Sequence, residues 1–265
     1  MNFHIQIRLV TLGLLALLAA CASNNKMPDV PYPAFVATGE IQEQFLAALP
    51  GIRARVYSSD MRTRTMSARV DIPRDWKGTT GGDPGKSLEI FVLAGELQFS
   101  DFRLGPGGYA YVPPGSLGFS LVSDDGAQVL YFLDEVDSSS VIRSPVILDS
   151  RLVDWQPVGR GLFKRLLRDD PGSGARSWLL RIEPGAMRAW ESSSVAREGY
   201  LVRGQYRHSE CVAGVSVAAD YPVGGYFRRP AMAVNGGPES VATTETIWFL
   251  RELEKGELRV EDGCL

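Results

Sequence analysis

Past its first fifty residues the chain alternates short apolar runs with Gly- and Pro-rich breaks. Runs such as Arg53-Ala54-Arg55-Val56-Tyr57, Glu89-Ile90-Phe91-Val92-Leu93, Val129-Leu130-Tyr131-Phe132-Leu133, Ser177-Trp178-Leu179-Leu180-Arg181-Ile182 and Thr246-Ile247-Trp248-Phe249-Leu250 are strand-length and rich in β-branched and aromatic residues. Many short strands with regular turns predict an all-β sandwich or barrel. One segment breaks the pattern: Ile41, Phe45, Leu46 and Leu49 recur at helical spacing and predict a short amphipathic helix.

The apolar runs also repeat. Glu89 to Leu97 lines up with Glu198 to Tyr206, keeping a glutamate and a glycine in step (Glu89 and Gly95, Glu198 and Gly204). Gly107-Gly108-Tyr109 with Pro113 matches Gly224-Gly225-Tyr226 with Pro230, and Tyr131-Phe132-Leu133 matches Trp248-Phe249-Leu250. The offset grows from 109 to 117 residues between these blocks, so the second copy carries about eight extra residues around Cys211. These repeats resemble cupins, small jelly-roll barrels whose two motifs read G-x5-H-x-H-x3-4-E-x6-G and G-x5-P-x-G-x2-H-x3-N. The resemblance implies an all-β bicupin with one short N-terminal helix. The expected organisation is a signal peptide over 1–20, a tether and helix over 21–50, one barrel over 51–150 and a second over 151–265.

The N-terminus supplies an address. Arg8 precedes a twelve-residue, mostly apolar stretch from Leu9 to Ala20, too short to span a bilayer as a helix but suited to a secretory signal. Leu18-Ala19-Ala20-Cys21 resembles the lipobox of bacterial lipoproteins, which implies lipidation of Cys21 and a lipid-anchored place in the cell envelope. Ala22 after the cysteine favours the outer membrane, facing the periplasm. An ordinary cleavable signal is the alternative. The Pro-containing segment from Cys21 to Gly39 then reads as a tether.

Export bears on the other cysteines. With Cys21 lipidated, Cys211 and Cys264 remain in an oxidising compartment and are expected to form a disulfide; metal ligation with His208 is the competing reading. A formal net charge of −3, with no basic run longer than Arg228-Arg229, argues against a nucleic-acid partner. Only two histidines, His4 and His208, are present, which removes most hydrolase and metalloenzyme templates. His208 reads as a surface-loop residue beside the disulfide. There is no G-x-S-x-G elbow, and Gly105-Pro106-Gly107-Gly108 lacks the Lys-Ser/Thr of a phosphate loop.

The resemblance makes the histidine shortage specific. The first-motif histidines map to Gly82 and Pro84 or Asp83 and Gly85 in repeat one, and to Glu191 and Ser193 or Ser192 and Ser194 in repeat two. The second-motif histidine maps to Gly118 and Asn235. No cofactor is expected, Glu89 being structural or on a pocket floor. The alternative is a hard divalent cation held by Glu191, Glu198 and Asn235 in the second barrel, which would suit an atypical dioxygenase- or isomerase-like enzyme. The preferred expectation is a non-catalytic envelope protein that binds a small molecule or protein partner. Its pocket would draw on Glu89, Tyr109, Glu191, Glu198, Tyr226, Arg229 and Asn235, among aromatic residues that mostly fill the barrels. Cupin oligomers further imply a possible homodimer.

Overall fold

The computed structural model describes Tyr32 and residues 36–265. The signal peptide, Cys21 and most of the tether lie outside the described residues. Two seven-stranded antiparallel sheets with the same strand order dominate the molecule. In the first, the order is Val146–Asp149, Gly108–Val112, Lys86–Gly95, Ala127–Glu135, Thr65–Ile72, Arg53–Asp60 and Glu43–Phe45. In the second it is Val36–Ala37, Gly225–Arg229, Arg197–Arg203, Thr246–Glu252, Arg176–Ile182, Leu162–Asp169 and Gln156–Gly159. Smaller sheets close each into a jelly roll: Trp76–Thr80, Phe119–Ser123, Leu97–Phe99 and Phe102–Leu104 in the first; Val215–Tyr221, Tyr206–Val212 and Val241–Ala242, with Glu191–Ser193 paired to Leu258–Val260, in the second.

Period-two alternation sorts the strands' side chains into three layers. Along Lys86–Gly95, Leu88, Ile90 and Val92 enter the apolar core of barrel one, whereas Phe91 joins a separate cluster between the barrels. Along Thr246–Glu252, Trp248 and Leu250 fill barrel two, whereas Ile247 and Phe249 face the same middle layer. That layer also holds Tyr57, Tyr109, Tyr111, Tyr200 and Tyr226. Phe91, Tyr109, Tyr111, Tyr200 and Tyr226, expected to fill the barrels, therefore pack the two barrels together instead.

Gly95 and Gly204, the shared glycines of the repeats, sit at φ 72° and 91°. A Cβ would lie 2.1 Å from the Gly126 carbonyl oxygen at the first and 2.4 Å from that of Glu245 at the second, so both conformation and close approach require glycine.

The predicted N-terminal helix is not formed. Only a 3-10 turn at Thr38–Glu40 precedes the strand Glu43–Phe45, which pairs with Arg53–Asp60. Leu46 and Leu49 are buried in barrel one, where tight turns rather than a helix deliver them: Leu46 N–H bonds the Ile52 carbonyl and Leu49 N–H that of Leu46. The first sheet thus begins inside the segment expected to be tether. The chain before it docks on the other barrel, because Val36–Ala37 pairs with Gly225–Arg229 just as the interbarrel strand Val146–Asp149 pairs with Gly108–Val112. Each arm covers a sheet edge that would otherwise present unpaired backbone groups.

The eight extra residues of repeat two lengthen one hairpin. Strands of seven residues, Tyr206–Val212 and Val215–Tyr221, stand where barrel one has three-residue strands at Leu97–Phe99 and Phe102–Leu104. His208 lies on this hairpin and is only 2% exposed, which corrects the surface-loop expectation. Its inward parity on a closed barrel strand decides the burial. Cys211 at the far end of the same strand is disulfide-bonded to Cys264, stapling the C-terminus across 53 residues.

Candidate functional site

The seven pocket candidates divide between two places. Glu89, Tyr109, Glu198 and Tyr226 lie in the layer between the barrels, whereas Glu191, Arg229 and Asn235 lie inside barrel two. The sheet separates the two sets, so they form no common site.

Alignment of the motif on the structure explains the split. The motif leaves six residues between its glutamate and its glycine, so that counting back from Gly95 and Gly204 puts the glutamate at Leu88 and Arg197. Glu89 and Glu198 are one residue displaced, and a one-residue step turns a strand side chain to the opposite face. Leu88 is buried in the hydrophobic core of barrel one. Arg197 projects into barrel two, where its Nε and Nη2 donate to Glu252 Oε1 at 2.9 and 2.7 Å and its Nη1 lies 3.5 Å from Glu191 Oε1.

Barrel two is filled by such pairs. Glu191 also contacts Arg188, and Arg176 donates to Glu252 Oε2 at 2.7 Å. Arg229 binds Glu210 through Nε (3.0 Å) and Nη2 (2.6 Å), and its Nη2 stands 2.9 Å from His208 Nε2. Burial alone would raise the Glu210 carboxyl, but Arg229 and His208 override it and hold it well below the usual range. The same burial pushes His208 down to about 4, keeping the ring neutral at physiological pH. Tyr32, from the N-terminal arm, donates to Glu210 Oε2 at 2.9 Å.

The alternative cation site does not assemble. Glu191 and Asn235 meet, exchanging backbone hydrogen bonds of 2.8 and 2.9 Å, but Glu198 points out of the barrel. Among the described residues no group of three His, Cys, Asp or Glu side chains is placed to hold a metal ion. The carboxylates Glu191, Glu210 and Glu252 are each committed to guanidinium groups, whose charge opposes a divalent cation. The residues present do not fit a cupin metal. Sequence reasoning missed Arg197 and Glu252; strict counting from Gly204 would have found Arg197.

Between the barrels lies a second charged network, built around Arg251. Its Nε is 3.3 Å from Glu198 Oε2, its Nη1 3.5 Å from Glu89 Oε2, and its Nη2 binds Asp134. Arg168 lies 3.5 Å from Glu89 Oε2, and Tyr109 donates to Glu89 Oε1 at 2.8 Å. Tyr226 donates to Glu198 in the same manner, so the two repeats present matching Tyr–Glu pairs. Burial would raise Glu89, but Arg168 and Arg251 outweigh it and hold the carboxyl below its ordinary value. Burial raises Asp134 instead, with Glu198 and Glu89 adding to the effect and Arg251 only partly opposing it.

Arg251, Asp134 and Glu198 of this network floor a cleft of about 460 Å³, within the range of small-ligand sites. The hairpin carrying Ser58, Ser59, Thr63, Thr65 and Ser67 forms one wall; Glu198, Arg228 and Arg251 of barrel two form the other. By contrast, the cavity within barrel two beside Tyr206, His208 and Arg229 has room for about one water molecule.

No family model and no curated protein sequence matches the chain. Solved structures do. The E. coli protein YlbA, of the DUF861 family, is 16% identical with a TM-score of 0.65, over 82% of this chain and 89% of that one. A point mutant of Bacillus subtilis oxalate decarboxylase is 12% identical with a TM-score of 0.63, over 85% and 78%. A Nostoc punctiforme protein provisionally called a dioxygenase is 19% identical with a TM-score of 0.64, over 82% and 81%. At these identities the likeness shows the fold: two cupin barrels in tandem.

Proposed function

We propose that this chain is a lipid-anchored envelope bicupin that binds a small ligand, without the metal chemistry usual to its fold. The replacement of the motif carboxylate by Leu88 in one barrel and by salt-bridged Arg197 in the other carries the reading. An apolar core and a guanidinium are poor company for a divalent ion. With the barrel interiors packed, the cleft between the barrels offers a ligand-sized space among the described residues. The lipobox-like Leu18-Ala19-Ala20-Cys21 supports the anchor, and Ala22 after it supports a position on the outer membrane facing the periplasm.

Two measurements test this. Metal analysis of protein purified without an affinity tag should find no stoichiometric transition metal; finding one would overturn the metal-free reading. Cys21→Ser should move the protein from the membrane fraction to the soluble envelope fraction, and unchanged membrane recovery would overturn the anchor. An atypical cupin enzyme is the second reading, favoured by neighbours that carry enzyme names, oxalate decarboxylase among them. It would require catalysis from the cleft rather than from either barrel.

A further inference from the structure

We infer that the interbarrel cleft takes a small hydroxylated amine, its ammonium group on Asp134 and its hydroxyls on the Ser/Thr hairpin. This rests on the proposal that the protein is a ligand-binding module, and assigns that module a site and a ligand class.

Charge is the first argument. Five carboxylates line the cleft against four guanidinium groups. At its floor Arg251 is shared between Asp134 and Glu198, and beneath them it also meets Glu89, which does not line the cleft and has a second guanidinium partner in Arg168. Two lining carboxylates thus share one guanidinium there, in a poorly solvated place where an added cation is worth more than in bulk water. The rim adds Glu135 and Glu254, neither of which forms an ion pair with any described residue.

Asp134 is the acceptor best built for this role. Its side chain is 13% exposed, and Arg251 takes only Oδ2; Oδ1 receives no hydrogen bond from any described residue. Asp134 also borders the smaller neighbouring cavity beside Arg168 and Tyr111, so it lines two separate spaces. An ammonium group donates three hydrogen bonds and would answer both the charge and the open oxygen.

The walls set the rest of the ligand. Ser59 and Ser67 present hydroxyls beside a Thr63–Thr65 pair that is hydrogen-bonded to itself and a Ser58 hydroxyl that accepts from Arg228, and among the described residues no aromatic side chain lines the cleft. Ser59 Oγ is buried without a hydrogen-bond partner. Such a wall suits a polyol more than a flat apolar ligand.

A matched series tests the assignment: glucamine, sorbitol and gluconate share one hydroxylated chain and differ in a terminal ammonium, hydroxyl or carboxylate. Calorimetric titration of the full mature protein should give glucamine at least about tenfold tighter than sorbitol, and gluconate weakest. Asp134→Asn should bring glucamine to within about twofold of sorbitol while leaving sorbitol unchanged. Because Asp134 also helps join the barrels, the exposed rim variant Glu135→Gln/Glu254→Gln serves as a second probe and should weaken glucamine several-fold. Gluconate binding tightest would overturn the ligand class while leaving a binding module. A glucamine preference that survives both variants would overturn the site. No binding by any of the three would overturn site and class together, whereas the anchor and the metal-free state are read separately by fractionation and metal analysis.

Discussion

Phe132 and Phe249 stack face to face, their ring centroids 5.7 Å apart and their planes inclined by 10°. They are separated by the 117 residues of the repeat offset, so each ring meets its own counterpart. The Tyr109–Glu89 and Tyr226–Glu198 pairs are likewise counterparts of one another in the two repeats. Identical positions on two copies thus form a self-complementary contact within one chain, as in a symmetric dimer.

Phe132→Ala should therefore act on both barrels. Removing a buried phenylalanine costs about 3–5 kcal/mol, and this one lies on the joint. Chemical denaturation should show the loss together with a split or broadened transition; a single transition at the wild-type midpoint would contradict the shared joint.

Arg251→Met should destabilise by about 3–5 kcal/mol, since it strips buried Glu89 and the largely buried Asp134 and Glu198 of their common cation. The sign with pH follows from linkage. Burial raises the Asp134 carboxyl and Arg251 opposes that rise, so without the guanidinium its native-state value lies further above the unfolded one and stability is gained as pH falls and it protonates. The gap between variant and wild type should narrow in acid, measured by urea midpoints across pH.

His208 gives wild-type protein the opposite slope. Its folded value is depressed to about 4 from an unfolded value near 6.5, so the unfolded chain binds the extra proton between those limits. Its contribution is full above about pH 6.5 and falls by about 1.4 kcal/mol per pH unit down to about pH 4. His208→Gln should flatten that part of the profile.

Cys264→Ser should cost up to about 4 kcal/mol on the chain-entropy account of a loop this long. The effect should match that of reductant on wild type. It should also free the strand Leu258–Val260 from Glu191–Ser193, seen as faster amide exchange confined to that pair.

Tyr32→Phe removes the arm's hydrogen bond to buried Glu210 and should lower stability by about 1–2 kcal/mol. Limited proteolysis should then cut the N-terminal arm faster, and an unchanged cutting rate would show that Tyr32 does not hold it.

Strand-length runs, turn glycines and the repeat made two tandem barrels legible in the chain alone, because period-two burial and left-handed turns leave local marks. Local marks failed where packing chose otherwise. Leu46 and Leu49 have helical spacing yet reach the core through turns, and the N-terminal arm crosses to the distant barrel because its open edge needs a partner. The candidate site was legible as a set of residue types but not as an arrangement. Glu89 and Glu198 looked like surviving ligands, and a single step of strand register turned them outward to bind Arg251. The duplication and the missing imidazoles are written in the order of residues and need no coordinates to be read. Which face each charge occupies was settled by packing, because parity along a strand is relative until a neighbouring barrel makes one face the inside and the other a joint.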